Sequence, residues 1–238
     1  MASISEFKKE MDRLKNPEKG IFLQRFFKTG VGQYGHGDVF FGITVPQQRI
    51  VATKFKELNL SDLKAILSSK IHEYRLTALI ILVAEYKKSG AKGKKPTARR
   101  EIVKFYLANR RNINNWDLVD SSAPYILGDY YLDKDKTVLY RLAKSKNLWD
   151  KRIAIISTQG FIRKGEFQDT FEIAKILLND PHDLLHKAVG WMLREVGNRD
   201  LAAEEKFLKV YAKQMPRTML RYAIEKFPEA KRKSYMLK

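Results

Sequence analysis

The amino-acid sequence predicts an all-α protein, an α-solenoid of stacked helical hairpins, and three observations carry that expectation. Apolar residues recur at spacings of three and four, not two, along most of the 238-residue chain, which is the spacing of one helix face. The segments NNWDLVDSSAPYILGDY, NLWDKRIAIISTQGFI, HDLLHKAVGWMLREV and PRTMLRYAIEKF align so that Leu118, Arg152, Lys187 and Arg221 share one place, at intervals of 34, 35 and 34 residues. The two Trp-Asp dipeptides stand 33 apart, one off that register. A period of this size belongs to hairpins that bury their apolar stripes only against neighbours, and such a stack bends to give a concave face. Three of the four equivalent positions are basic, in a chain with 46 Lys and Arg against 27 Asp and Glu, a formal charge of +19. The second helix of each hairpin commonly lines the concave face, so a positive track along which duplex DNA can lie is expected.

From the N-terminus, helices are expected over residues 3–15 and 18–28. Residues 29–45, TGVGQYGHGDVFFGITV, hold five glycines and read as a long loop, a length that in a compact domain is usually functional or mobile. Helices follow over 46–57, with Pro46 at its first turn, over 60–68 and over 72–89. The last of these holds the longest apolar run, ALIILVA at 78–84, far too short to span a bilayer. Residues 89–96, SGAKGKKP, read as a basic, exposed linker. Helices over 97–109, 114–130, 134–145, 149–163, 166–178, 182–196, 200–214 and 217–227 complete the expected fold. The stretch Asp180-Pro181-His182-Asp183 marks a stop and a new start, and Pro216 marks the start of the last helix. Residues 1–238 are expected to form a single domain.

Hydrophobic residues make up 44% of the chain, enough for a packed core, so the charge does not signal disorder. Nucleic acid is the favoured partner, an anionic membrane the second, and a merely solvated surface the plain alternative. The chain contains no cysteine. That excludes disulfides, zinc–thiolate sites and cysteine nucleophiles, and it fits a reducing cytosol. The N-terminal MASISEFKKEMDRLK lacks the apolar core of a signal peptide, so a cytoplasmic protein is expected. P-loop, GxSxG and zinc-deaminase signatures are absent. GVGQYGHG does not follow a strand and is no dinucleotide fingerprint. His182 and His186 are spaced i, i+4, but no HExxH pattern or carboxylate ligand accompanies them, so neither a metal nor a cofactor is expected.

Against this basic background, residues 112–133 contain no Lys or Arg, yet they hold Trp116, Asp117, Asp120, Asp129 and Asp133. Trp116 and Asp120 lie one above the other on one helix face. Val119, Ala123 and Ile126 form an adjacent apolar line expected to pack inward. Pro124 cannot donate to the carbonyl of Asp120, which predicts a bend beside the acid. Asp117, like Asp150 after Trp149, reads as a first-turn acid that favours the helix dipole. Asp120 sits deeper in the helix and fits that reading less well. Trp191 lies on one face with Lys187 and Arg194, a less core-like setting than one among leucines.

A lone carboxylate about 6 Å from a phosphate, at an effective dielectric of about 20, meets repulsion on the order of 3 kcal/mol. A purely adhesive surface avoids that cost. Hydrolysis of an N-glycosidic bond recovers it, because the sugar becomes oxocarbenium-like and a carboxylate can stabilise it and orient the attacking water. Tryptophan faces add cation–π attraction. If the departing base is already cationic, as in an N3- or N7-alkylated purine, no general acid is required.

The pieces NNWDLVDSSAPYILGDYY, LWDKRIAI, HDLLHKAVGWMLRE and MPRTMLRYAIEKF, with NPEK near the N-terminus, resemble the DNA alkylation repair family of HEAT-like repeat DNA glycosylases. The resemblance spans most of the chain. It implies a single superhelix of HEAT-like repeats, curved around a basic concave cleft that holds duplex DNA containing alkylated bases. It implies a monofunctional glycosylase that excises cationic alkylpurines and leaves an abasic site, expected to act as a monomer without a cofactor. The family's active-cleft residues fall on Trp116, Asp120 and Trp191. Its DNA-contacting arginines fall on Arg152 and Arg194, beside which the repeat register adds Lys187 and Arg221. Residues 29–45 map onto no family feature. The charge leaves open a non-catalytic solenoid for branched or distorted nucleic acid, which needs the basic track but not Asp120. A protein-binding scaffold, with little salt dependence, is a third reading.

Overall fold

The computed structural model describes residues 3–90 and 96–237. The expected basic linker at 89–96 lies mostly outside the described residues. Among the described residues the chain is helical and forms no β-strand; one β-bridge pairs Val39 with Ile71. The all-α expectation therefore holds. The chain divides into two compact units, Met1–Ser122 and Ala123–Lys238.

The first unit is organised around α5 (His72–Lys88), which is buried almost all round, the polar His72, Glu73 and Arg75 included. A helix buried on all sides has to be wrapped by others. Helices α3 (Val45–Lys54), α4 (Leu60–Leu67), α6 (Pro96–Ala108) and α7 (Trp116–Asp120) all pack on it. Helix α1 (Ile4–Arg13) packs on α3 and buries Phe7 and Met11, with Phe7 edge-on to Phe55 at 5.6 Å and to Tyr74 at 5.3 Å. The helix starts are written locally. Ser3 and Glu6 form a reciprocal capping box on α1, and Thr44 and Gln47 do the same on α3, with Pro46 in its first turn. Asn16 caps α2 (Pro17–Phe26) and Asn59 caps α4.

Residues 29–44 form a loop, one residue shorter than the expected 29–45, and a tethered one. Asn16 N donates to the Phe41 carbonyl, and Gly35 N to the Lys28 carbonyl. The Glu73 carboxylate accepts from the backbone N–H groups of Phe41, Gly42 and Ile43 at 3.0, 2.8 and 3.2 Å. Gly42 is required here: its φ is +80°, and a Cβ would run into the Asn16 carbonyl.

The second unit is built from successive helix pairs. Helix α8 (Thr137–Ala143) packs on α9 (Leu148–Ser157), α11 (Gln168–Ile176) packs on α12 (Asp183–Gly197), and α13 (Leu201–Tyr211) and α14 (Arg217–Ala223) both pack on α12. The second helices pack in sequence, α9 on α12 and α12 on α14, which is the physical content of the 34–35 residue period. Gly190 lets α12 and α14 approach closely, because a Cβ there would overlap the Met219 carbonyl of α14. Leu185, Val189, Met192, Leu193 and Val196 of α12 are all fully buried.

Three expected helices are interrupted. The stretch 114–130 is not one helix: α7 ends at Asp120, and a π-helical turn covers Pro124–Gly128. Proline's missing N–H removes the bond that would continue the α register, and the ladder resumes one residue wider. Residues 149–163 split at Thr158, whose hydroxyl donates back to the Ile155 carbonyl, leaving a short α10 (Gln159–Ile162). Residues 217–227 end in a 3₁₀ turn at Ile224–Lys226. One further helix, α15 (Glu229–Met236), begins after Pro228. Sequence reading did not place it, because its polar composition gives almost no apolar period; Tyr235 is its buried anchor.

Candidate active site

Helix α7 has only five residues, too few to be stable on their own hydrogen bonds. Side chains from elsewhere in the first unit hold it. Asn115, fully buried, caps the helix through its Oδ1 at 2.8 Å from Trp116 N, and its Nδ2 donates to Asp38 at 3.2 Å. Leu118 and Val119 are fully buried on the inward face. Ser122 Oγ donates to the Leu118 carbonyl at 2.5 Å and lies 2.9 Å from the Tyr106 hydroxyl.

Asp117 does more than favour the helix dipole. Its Oδ1 accepts from Leu118 N at 2.8 Å, and its Oδ2 lies 2.7 Å from His72 Nε2. The other His72 nitrogen, Nδ1, faces Asp38 at 3.3 Å, and Arg75 Nη2 meets the same Asp38 oxygen at 2.6 Å. Arg75 also donates to Asn114. Two potential cations thus stand against two carboxylates inside the unit, joining the loop (Asp38), α5 (His72, Arg75) and α7 (Asp117). Burial works against charge on His72, but Asp117 and Asp38 outweigh it and hold its pKa up at about 9. Burial also opposes charge on Asp38, yet His72, Arg75 and Asn115 leave its pKa below the usual carboxylate value.

An aromatic stack completes the support. The Trp116 indole lies face to face with Phe27 at 5.2 Å and 14°, and edge-on to Phe26 at 6.1 Å. Phe27 stacks in turn on Phe40 at 4.8 Å, and Phe40 on the His72 ring at 4.5 Å. The outward face of α7 is left with Trp116 and Asp120, both only partly buried. Asp120 sits at the end of the helix, where the dipole gives a carboxylate no help. Burial raises the Tyr106 phenol well above its ordinary pKa, the Ser122 hydrogen bond opposes this, and the negative charge of Asp120 adds to the rise.

The remaining expected site residues lie in the second unit. Trp191 on α12 is partly buried, and its Nε1 donates to Glu195 at 3.1 Å. Lys187, one turn before it, pairs with Asp183 at 2.6 Å. Arg194, one turn after it, pairs with Glu225. Arg194, Arg221, Tyr222, Glu225, Arg232 and Met236 line a groove of about 610 Å³. Arg152 on α9 is buried, and its Nη1 donates to the Leu184 carbonyl at 2.7 Å.

Within the column expected from the period, the positions differ in exposure. Leu118 is fully buried and Arg152 is 5% exposed, whereas Lys187 is partly exposed and Arg221 exposed. The register marks packing positions as much as charge, because Arg152 spends its guanidinium on a backbone carbonyl of the next hairpin. Asp150 is likewise buried and accepts from Ser145 Oγ at 2.9 Å. His182 caps α12 through Nδ1, and His186 Nε2 faces the Asp180 carbonyl at 2.5 Å, so this pair serves the backbone.

Sequence reading missed Asp38, His72, Arg75 and Phe27. Their separations from α7 of roughly 40 to 90 residues leave no local pattern. The one available signal is the density of Gly and Phe around Asp38, which suggests a built loop but not its partners.

The chain matches the family described as DNA alkylation repair enzyme over residues 7–227. Among solved structures it resembles a predicted DNA alkylation repair enzyme from Enterococcus faecalis, with a TM-score of 0.69 and 16% identity, covering 90% of this chain and 97% of that one. At that identity the likeness speaks for the fold. Curated proteins give no match.

Proposed function

Because this chain belongs to the DNA alkylation repair enzyme family, we propose that it is a monofunctional DNA glycosylase that removes cationic N3- or N7-alkylated purines from duplex DNA. The observation that carries this reading is the outward face of α7. A carboxylate, Asp120, and an indole, Trp116, stand one turn apart on a segment held by a buried ion cluster and an aromatic stack. In a chain of charge +19, Asp120 adds only repulsion toward phosphate unless positive charge develops on the substrate.

In the proposed reaction the bond from C1′ to the base nitrogen breaks, and its electron pair leaves with the base. A cationic alkylpurine departs neutral, so no acid has to protonate it. Asp120 stabilises the oxocarbenium-like sugar and orients water, whose oxygen bonds to C1′ while its proton is lost through the carboxylate to solvent. Trp116 offers an aromatic face to the cationic sugar, and the family resemblance gives Trp191 an active-cleft role as well. Lys187, Arg194 and Arg221 supply phosphate contacts, and Arg152 adds its charge from a buried position. Residues 1–238 are read as one functional domain, acting as a monomer without a cofactor.

The test is release of 7-methylguanine or 3-methyladenine from methylated duplex DNA. The wild type is expected to release base, and Asp120→Asn to bind the same DNA without releasing it. A wild type that binds DNA tightly yet releases nothing overturns the reading in favour of a non-catalytic solenoid for distorted nucleic acid.

A further inference from the structure

Helix α2 carries an apolar face that its own unit leaves open. Ile21, Phe22 and Phe26 are 57%, 64% and 55% exposed. Single exposed apolar residues need no explanation, but contiguous ones do. The Phe22 and Phe26 rings stack at 6.4 Å and 16°, and Phe26 meets the Trp116 indole at 6.1 Å. A row of rings therefore runs from the open side of α2 to the segment bearing Asp120. Cations flank it, with Lys19, Arg25 and Lys28 all exposed.

Flat aromatic faces among cations match one partner chemistry well. Nucleobases stack on such rings whatever their sequence, while Lys and Arg take the phosphates. Bases inside a paired duplex present only their edges, so a stacking face selects bases that have left the stack.

We propose that Phe22, Phe26 and Trp116 form a stacking strip for nucleobases outside the duplex stack, in a single strand, a bulge or opposite a lesion. The inference rests on nucleic acid being the partner, as the proposed function does, but it does not need base excision.

The experiment compares binding of a single-stranded oligothymidine and a fully paired duplex, by fluorescence anisotropy, for the wild type, Phe22→Ala/Phe26→Ala and Phe22→Tyr/Phe26→Tyr. The alanine pair is expected to weaken single-strand binding by about five-fold or more for each base stacked. Duplex binding is expected to change by less than about two-fold, in keeping with near-neutral rim contacts, and the tyrosine pair to restore the single-strand affinity. Equal losses on both probes, or no loss on the single strand, overturn the inference. So does binding to phosphatidylglycerol vesicles, or self-association, that disappears with the alanine pair. Base release measured alongside separates the two readings. A wild type that excises nothing but keeps the strand-selective loss ends the glycosylase reading and leaves the strip standing; the reverse pattern does the opposite.

Discussion

Two helices, one in each unit, bear proposed site residues, α7 with Trp116 and Asp120 and α12 with Trp191, and they are held in opposite ways. Helix α7 is five residues long, and buried charges together with stacked rings brought from far along the chain fix it. Helix α12 is 15 residues long, and it presents Trp191 because Leu185, Val189, Met192, Leu193 and Val196 are packed away beneath it. The ion pairs of α12 lie at its surface, where the Lys187 and Asp183 side chains remain 40% and 55% exposed. The contrast follows from length. A long amphipathic helix orients its outer face by burying its inner one, whereas a single turn has too little inner face and needs specific polar partners.

The sharpest way to break this contrast is to remove a partner from each side. His72→Ala leaves Asp38 and Asp117 without the cation between them, and losing one member of a buried ion cluster costs about 3–5 kcal/mol. Urea unfolding should show that loss. A cost no larger than that of an exposed substitution would mean that packing alone holds α7. In α12 the comparable change is Leu193→Ala, expected to cost about 2–5 kcal/mol through lost burial and the cavity left behind. The two variants should differ in their pH response, since only the first removes a titrating group.

That response sharpens the comparison further. The His72 pKa is raised from 6.5 to about 9, so its stabilisation is fully present below pH 6.5 and is lost as pH rises through about 9. A shift of that size corresponds to about 3 kcal/mol. The second unit has its own alkaline weakness. Glu204 is buried with its Oε1 unpartnered, and burial raises its pKa from 4.5 to about 8; its contribution is present below pH 4.5 and is lost as pH rises through about 8. Unfolding measured from pH 6 to pH 10 should therefore show falling stability. His72→Gln should remove the later part of the fall and Glu204→Gln the earlier part. A flat profile in the wild type contradicts both assignments.

The smallest effect on stability belongs to Lys187→Ala, within about 1 kcal/mol because the pair it breaks is exposed. Its effect on DNA binding should be larger. Removing one phosphate contact lowers the log–log salt slope by about 0.9, and an unchanged slope takes Lys187 off the DNA-contacting surface.

The sequence made legible what depends on neighbours. The starts at Pro46, at Pro216 and after Asp180-Pro181, the helix over 182–196 and the hairpin period all follow from residues within a few turns of one another. Trp116 and Asp120 could be paired on one face because helical spacing alone decides that. The buried cluster was not legible, because Asp38, His72 and Asp117 meet only after the chain has folded. Asp117 therefore read as a helix-dipole acid, although its stronger bond is to His72. Arg152 read as a surface cation because the period reports register and not direction. The 29–45 loop read only as functional or mobile, because Glu73 and Asn16, which tether it, lie outside it in the sequence.

On the proposed function, α7 is held rigid so that Asp120 can act on a sugar that becomes cationic. Single-turnover release of 7-methylguanine from methylated duplex DNA by wild type and Asp120→Asn, with DNA affinity and urea unfolding measured on the same preparations, tests it most directly. Asp120→Asn is expected to lose about 100-fold or more in rate, the scale of removing a preorganised electrostatic group, with binding and stability retained. Equal rates for the two proteins would contradict it.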